Sequence, residues 1–377
     1  MNPEFKHHVI DTGLEGGGYA QTALADLDGC GRPEYIVGRR EGDLYVYKYR
    51  APDHWTCFLL GADSPSDVGA AIVDVDGDGR LDVVTGGAWY RNSGDFSVPF
   101  ERFVFDADLT GVHDVAVGDL DGDGKPEVVT MSDRSDVRWY RIGDDPTQPW
   151  PAPTRIGDPV HAGIGLGDLD GDGHLDVVRT NVWFRNVNGD GSEWEEVPIG
   201  PSTPPPADFQ PPFAYDATKA VVCDMNQNGR ADIVFTDAEI PGGKIWWMEN
   251  ADGEGRTWIR HDLPQSDGPR RGAYHSLQVV DADGDGDLDI FSAEMEAVRG
   301  DAEPRWYLWE NVDGKGTQWQ EHVILDANLG GHEIVVGDVT GNGTLDTLGK
   351  PWRPAEGNAV DGRCSSCFWK DSPRRSS

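Results

Sequence analysis

An aspartate-rich loop recurs seven times along this chain, with its first Asp at Asp26, Asp74, Asp119, Asp168, Asp224, Asp281 and Asp338. The intervals are 48, 45, 49, 56, 57 and 57 residues, enough in each case for four short strands and their turns. No other feature restricts the fold as much. A chain of 377 residues would ordinarily suggest two or three domains, whereas a repeat this regular builds one array of like units. The order within each unit is constant. An apolar strand such as Val115-Ala116-Val117 enters the loop, and a second such as Val128-Val129-Thr130 leaves it. An aromatic third segment follows, as in Ala88-Trp89-Tyr90, Val182-Trp183-Phe184, Ile245-Trp246-Trp247 or Trp306-Tyr307-Leu308. Turn signals such as Asp252-Gly253 and Asp313-Gly314 then lead to a fourth strand, as in Trp258-Ile259-Arg260-His261 or Trp319-Gln320-Glu321-His322.

The two ends indicate how such an array closes. Phe5-Lys6-His7-His8-Val9-Ile10 has the fourth-strand pattern but precedes the first loop, and the seventh unit lacks a fourth strand of its own. Pairing the two removes the open edges that invite aggregation. The expected fold is all-β, a seven-bladed β-propeller over residues 1–362. Its blades lie near 11–58, 59–104, 105–156, 157–199, 200–263, 264–325, and 326–370 joined to 5–10. Residues 363–377, basic and serine-rich, fit the pattern poorly and read as a divergent or poorly ordered tail.

The loops are metal sites by composition. Asp74, Asp76, Asp78 and Asp82 occupy loop positions 1, 3, 5 and 9. Complete sets recur as Asp119/Asp121/Asp123/Glu127, Asp168/Asp170/Asp172/Asp176 and Asp281/Asp283/Asp285/Asp289. Hard oxygen donors on a flexible loop suit Ca²⁺ better than Mg²⁺, which demands a strict octahedron. Two carboxylates ~5 Å apart repel by roughly 3 kcal/mol at an effective dielectric of about 20, so a loop carrying four calls for a cation. Three loops depart from the set and are expected to bind weakly or not at all. Two of them read Asp224/Asn226/Asn228/Asp232 and Asp338/Thr340/Asn342/Asp346, and the first has Cys30 beside Asp26, Asp28 and Glu34.

These loops closely resemble those of the FG-GAP or VCBS-type propellers over nearly the whole chain. The resemblance implies the propeller fold and structural calcium. It leaves the activity open, because such propellers serve as adhesion heads, lectins and polysaccharide lyases. The chain also looks like the propellers found among lyases acting on rhamnose- and uronate-containing polymers.

Charge narrows the partners. The net charge is −35, with 67 acidic residues against 32 Lys and Arg, and much of the excess sits in the loops. What remains opposes nucleic acid, which requires clustered Lys and Arg, and an anionic membrane surface. No run of apolar residues is long enough to span a bilayer. The five cysteines, Cys30, Cys57, Cys223, Cys364 and Cys367, make no disulfide framework. Calcium sites of this type are often weak, which suits an extracellular medium. The expectation is a secreted or periplasmic monomer.

If the loops lie on one face of the ring, the start of each first strand and the end of each second strand lie on the other. The residue six places before each loop is Ala20, Val68, His113, Ala162, Thr218, His275 and His332. A purely structural position would hold one residue type, whereas this one carries three histidines, with His161 and Tyr274 adjoining. His8, His261 and His322 share a fourth-strand position and read as structural. The second-strand ends add Arg39, Trp89, Arg134, Arg179, Glu239, Glu294, Lys350, Trp352 and Arg353.

Aromatic rings beside cations and carboxylates suit an acidic sugar, whose carboxylate Arg can grip with two hydrogen bonds. The expected activity is a polysaccharide lyase working by β-elimination. His113, His275 or His332 serves as base, Tyr274 or a second histidine as acid, and Arg39, Arg179 or Lys350 neutralises the uronate. Two alternatives stand beside it. One is a hydrolase using Glu239 and Glu294 as a carboxylate pair, and the other a non-catalytic sugar-binding or adhesion module. The insertions 201–214 and 297–304 offer walls for an asymmetric cleft.

Overall fold

The computed structural model describes residues 4–14, 17–66, 68–161, 163–200, 218–240, 242–266, 271–295, 303–327, 329–352 and 364–369, with Thr218 and residues 364–369 described by their backbone. The protein is all-β. Six blades are each made of four consecutive antiparallel strands, spanning residues 19–64, 71–104, 112–157, 165–198, 218–262 and 274–325. A further four-stranded sheet is assembled from both ends of the chain, in the order Phe5–Asp11, Cys364–Trp369, Asp346–Lys350 and Glu333–Gly337. The seven equivalent units expected from the loops are therefore six contiguous blades and one composite closing sheet. Residues 364–369, set apart by composition as a tail, form a strand within that sheet, and Phe5 pairs with Trp369. Among the described residues no helix is long and apolar enough to cross a membrane.

The first strands of the six blades pack side by side around an axis in chain order. Glu333–Gly337 of the closing sheet returns the ring to Tyr19–Ala25. Each blade presents both faces to its neighbours, so its second strand is buried on both sides and reads as an unbroken apolar run. Val83-Val84, Val128-Val129 and Val177-Val178 are examples, all fully buried. Fourth strands lie at the rim and alternate between half-buried and exposed, as in Trp258–Asp262. The cores accordingly lie between sheets. Val84 and Trp89 of blade two pack with Val115, Val128 and Tyr140 of blade three, and Tyr19 and Tyr35 of blade one pack with Val335 and Leu348 of the closing sheet.

Polar groups fasten each blade to the next. The indoles of Trp139, Trp183 and Trp247 donate to the carbonyls of Gly191, Gly255 and Gly316 in the turns of the following blades, at 3.1, 3.0 and 3.1 Å. Gly191 has no substitute here, because its φ is 67° and a Cβ would lie 2.4 Å from the Trp139 ring. A row of asparagines makes the return link. The Asn92, Asn186 and Asn250 side chains donate to the carbonyls of Leu27, Leu120 and Leu169 in the preceding loops, at 2.7, 2.7 and 2.8 Å. Their backbone N–H groups donate to the loop carboxylates Asp82, Asp176 and Asp232 of their own blades. Asn186 also accepts from Gly191 at 3.0 Å. Asn186→Ala strands these buried groups and is expected to cost about 1–3 kcal/mol, readable by urea denaturation. A change below a few tenths of a kcal/mol would show that the link carries no stability.

Candidate functional site

The loops join first strands to second strands on one face of the ring, and their own backbone fixes them. Asp74 accepts from the amides of Gly77 and Gly79 at 2.8 and 2.9 Å. Asp82, at loop position 9, accepts from Val75 at 2.9 Å and Asn92 at 2.8 Å. The same pattern recurs around the ring, with Asp176, Asp232 and Asp289 in the place of Asp82. Burial pushes the position-9 carboxyls up against these hydrogen bonds, to about 6 for Asp82 and Asp232 and about 7 for Glu127, Asp176, Asp289 and Asp346. A cation would favour the ionised form. Ligating atoms of Asp74/Asp76/Asp82, Asp119/Asp121/Glu127, Asp168/Asp170/Asp176 and Asp281/Asp283/Asp285 lie within 4.8 Å of one another. These all-oxygen sets fit a hard divalent cation. Asp26, Asp28 and Cys30 also gather, with a thiol in place of an oxygen donor.

Each acidic set thus brings together three of the four expected ligands, and in three loops position 5 is the one left out. Asp78, Asp123 and Asp172 are exposed, outside the groups that their own loops form. A short side chain at this place turns back to cap the amide two residues on, as Asp285 also does while remaining within its set. Asp78 accepts from Arg80 at 2.9 Å, Asp123 from Lys125 at 2.8 Å and Asp172 from His174 at 3.1 Å. The softened loops do the same with amides. Asn228 is exposed and accepts from Arg230 at 2.9 Å, and Asn342 is exposed and accepts from the Thr344 amide at 2.8 Å and its hydroxyl at 2.6 Å. Asn226, at position 3, accepts from the Asn228 amide at 3.2 Å. The side-chain oxygens of Asn226, Asn228 and Asn342 thus make the same kind of turn bond as the acids of the other loops, among them Asp76, which accepts from the Asp78 amide at 3.2 Å within its own set. Loops five and seven keep only Asp224 with Asp232 and Asp338 with Asp346 as acids.

On the opposite face, histidines from four sheets converge. His113 and His275 each sit at a register shift in the ladder of their own blade, between Val112 and Asp114 and between Tyr274 and Ser276. An extra residue at such a β-bulge turns its side chain out of the regular alternation, and here it turns toward the axis. The rings of His113 and His275 are 6.2 Å apart, centre to centre. His113 lies 4.0 Å from His161, and His275 stacks on His332 at 3.7 Å. Trp352 covers His332 at 4.8 Å.

The four histidines differ electrostatically. Nδ1 of His275 lies 2.6 Å from the His332 carbonyl oxygen, which makes it the protonated nitrogen and leaves Nε2 as the free base. Burial, then the neighbouring His332 and Lys219, hold His275 well below its ordinary range. His332 is likewise lowered, by burial and by Lys350. His161 is the reverse. Burial opposes its charge, but Asp133 at 3.0 Å and Glu239 at 2.8 Å overcome it and push the imidazole up to about 10.

That clamp spans three blades and makes a pH prediction. A folded pKa raised above the ordinary ~6.5 stabilises fully below that value, and the stabilisation is lost as pH rises through about 10. The melting difference between the wild type and His161→Gln should be largest near pH ~6 and shrink toward pH ~10.5. A constant difference across that range would exclude the charged clamp.

Several expected site residues lie elsewhere. Tyr274 precedes the bulge and is buried in the core between blades five and six, against Tyr307 and Trp309. Trp89 is fully buried, stacked on Phe103 at 4.9 Å. Arg179 lies over Phe184 and near Glu196 in its own blade. Glu294 accepts from Arg271, Tyr307 and the amides of Gly272 and Arg305 at 2.9–3.3 Å, so it does not pair with Glu239. Arg39 donates to the Gly17 carbonyl, and Arg134 is exposed on a turn. Lys350 is buried and donates to the Tyr19 carbonyl, yet it stays beside the site, where burial and its charge hold His332 down. Arg353, Ala162, residues 201–214 and most of 297–304 lie outside the described residues. His261 and His322 each pair with a glutamate 2.8 Å away, and His8 with Asp53 at 3.0 Å.

Two buried charges belong to the site that the sequence reading did not select. Lys219 of blade five and Glu333 of the closing sheet pair at 2.8 Å, reaching past blade six beside the histidines. Both stand one place after the bulge position, five residues before their loops.

The FG-GAP-like repeat family matches residues 16–85, 119–178, 224–292 and 281–348. Among solved structures, one of BBS1N in complex with ARL6DN, soaked with mercury, is 11% identical with a TM-score of 0.56, covering 99% of this chain and 98% of that one. A lead-soaked structure of the same complex is 11% identical with a TM-score of 0.55, covering 97% and 96%. At that identity the likeness extends to the fold alone. No curated protein matches the sequence.

Proposed function

Because the chain belongs to the FG-GAP-like repeat family, we propose that it is a calcium-stiffened propeller, with the closing sheet as seventh blade, whose histidine funnel cleaves a uronate-containing glycan by β-elimination. The observation that carries this reading is the pair of bulged histidines. His275 is held neutral with Nε2 as its free nitrogen, across the axis from His113, which adjoins the charged His161. Nε2 of His275 takes the C5 proton of the uronate. The electrons of that C–H bond form the C4–C5 double bond as the C4–O bond breaks. The leaving oxygen takes a proton from the His113–His161 side, so the step balances without redox change. Lys350, which acts on His332 beside it, supplies positive charge for the uronate carboxylate in place of Arg39 and Arg179, whose partners lie elsewhere, while Lys219 is already balanced by Glu333.

Calcium at the loops of the opposite face keeps the blades in register and takes no part in the chemistry. Weak extracellular-type sites suit an exported protein. The test is incubation of the calcium-loaded protein with a panel of uronate polysaccharides, following ultraviolet absorbance of the conjugated product. A rise in absorbance supports the lyase. Silence across the panel, with binding retained, would replace it by the sugar-binding module.

A further inference from the structure

Opposite the position-9 acid of loops one to six, on the facing third strand, stands one residue whose charge changes around the ring, whereas Asp346 of the closing sheet faces Phe368. Tyr35 pairs with Tyr47, so the next rung sets Lys48 against Glu34. By the same step, Val83 with Tyr90 sets Arg91 against Asp82, Val128 with Tyr140 sets Arg141 against Glu127, and Val177 with Phe184 sets Arg185 against Asp176. In blades five and six the facing residue is Glu249 or Glu310.

The cations reach into their loops. Arg91 lies 2.7 Å from Asp76, Arg141 lies 2.5 Å from Asp121, and Arg185 bonds Asp170 and Asp172. Each of these arginines extends toward the acid at loop position 3. Lys48 goes further, bonding Asp28 and lying 3.3 Å from Glu34 Oε1. The backbone bonds are those of the other loops, with the other Glu34 oxygen accepting from the Leu27 amide at 2.9 Å and Asp26 from the amides of Cys30 and Gly31, so the difference lies in the ammonium. The ammonium thus sits among the carboxylates that a divalent ion would bridge. The metal implied by the family does not fit loop one.

We propose that Lys48 is the permanent cation of loop one in place of a metal, and that the residue on this rung sets each loop's demand for one. Lysine removes the demand, arginine lowers it, and glutamate leaves it whole. The proposal rests on reading the loops as calcium sites, and it differs from blaming Cys30 for the weakness of loop one. If Cys30 were the defect, restoring the acid would restore the site. If Lys48 holds the place, both residues must change.

The test is to count bound Ca²⁺ by equilibrium dialysis for the wild type, Cys30→Asp, and Cys30→Asp with Lys48→Met. The expected result is no added ion for the single variant and one added ion for the double. One added ion in the single variant, or none in the double, overturns the proposal. Glu310→Lys is the reciprocal variant should loop-one variants fail to fold: it should lose one ion, and an unchanged count overturns the proposal. A wild type that binds no calcium would sink the calcium reading alone, because the double variant still distinguishes a gain of one ion from none.

Discussion

His275→Gln is expected to lower the elimination rate by about 10²–10⁴-fold, the usual contribution of a general base, with little change in KM. The side chain works through a single nitrogen, since the other is committed to the His332 carbonyl, and glutamine cannot accept the proton. Because burial and neighbouring positive charge hold this imidazole well below the ordinary range, it is neutral throughout the physiological interval. The acid limb of the pH–rate profile should therefore fall below pH ~6.5, the ordinary histidine value. A rate unchanged by the substitution, or a limb above pH ~7, would remove His275 from the role of base. Thermal melting of the variant separates loss of chemistry from loss of the stacked pair.

Chelating calcium is expected to have the largest effect on stability. A site filled at a hundredfold excess over its Kd contributes about 2.7 kcal/mol. With about 2.1 cal/mol/K of unfolding entropy per residue, a chain of 377 residues should lose roughly 3 °C for each emptied site. Four filled loops together amount to roughly 14 °C by the same arithmetic. The melt should be followed with excess chelator and again after calcium is restored. An unchanged midpoint would mean that hydrogen bonds and internal cations alone hold the loops.

The architecture was legible in the sequence because its two determinants are local. An Asp-Gly loop at a fixed interval announces one strand pair, and a Trp-rich segment followed by a turn announces the next. Within the loops, spacing marks Asp123 as the equal of Asp121, but it does not show that Asp123 lies outside the set that Asp119, Asp121 and Glu127 form. The site on the other face was legible only in part. His113 and His275 stood out at a position that a purely structural repeat would keep to one residue type, but nothing in their neighbours signals a bulge. Without the bulge, Tyr274 reads as equally able to face the axis, and the structure buries it in the core between blades instead. Trp89 was misplaced for a related reason, since third-strand aromatics serve contacts between blades. Glu294 looked available because its four donors come from segments distant in sequence. Lys219 and Glu333 were one residue from the position inspected, but their pairing depends on the curvature of the whole ring.

The composite closing sheet also has a consequence in time. Phe5 is synthesised before all six contiguous blades, and its partner Trp369 after them. Blades one to six can form as they emerge, each on the face of its predecessor. Phe5–Asp11 must wait until synthesis has passed residue 369, so closure of the ring comes only after all six contiguous blades have been made. Throughout that interval the unpaired first strand is the segment most in need of protection from other chains.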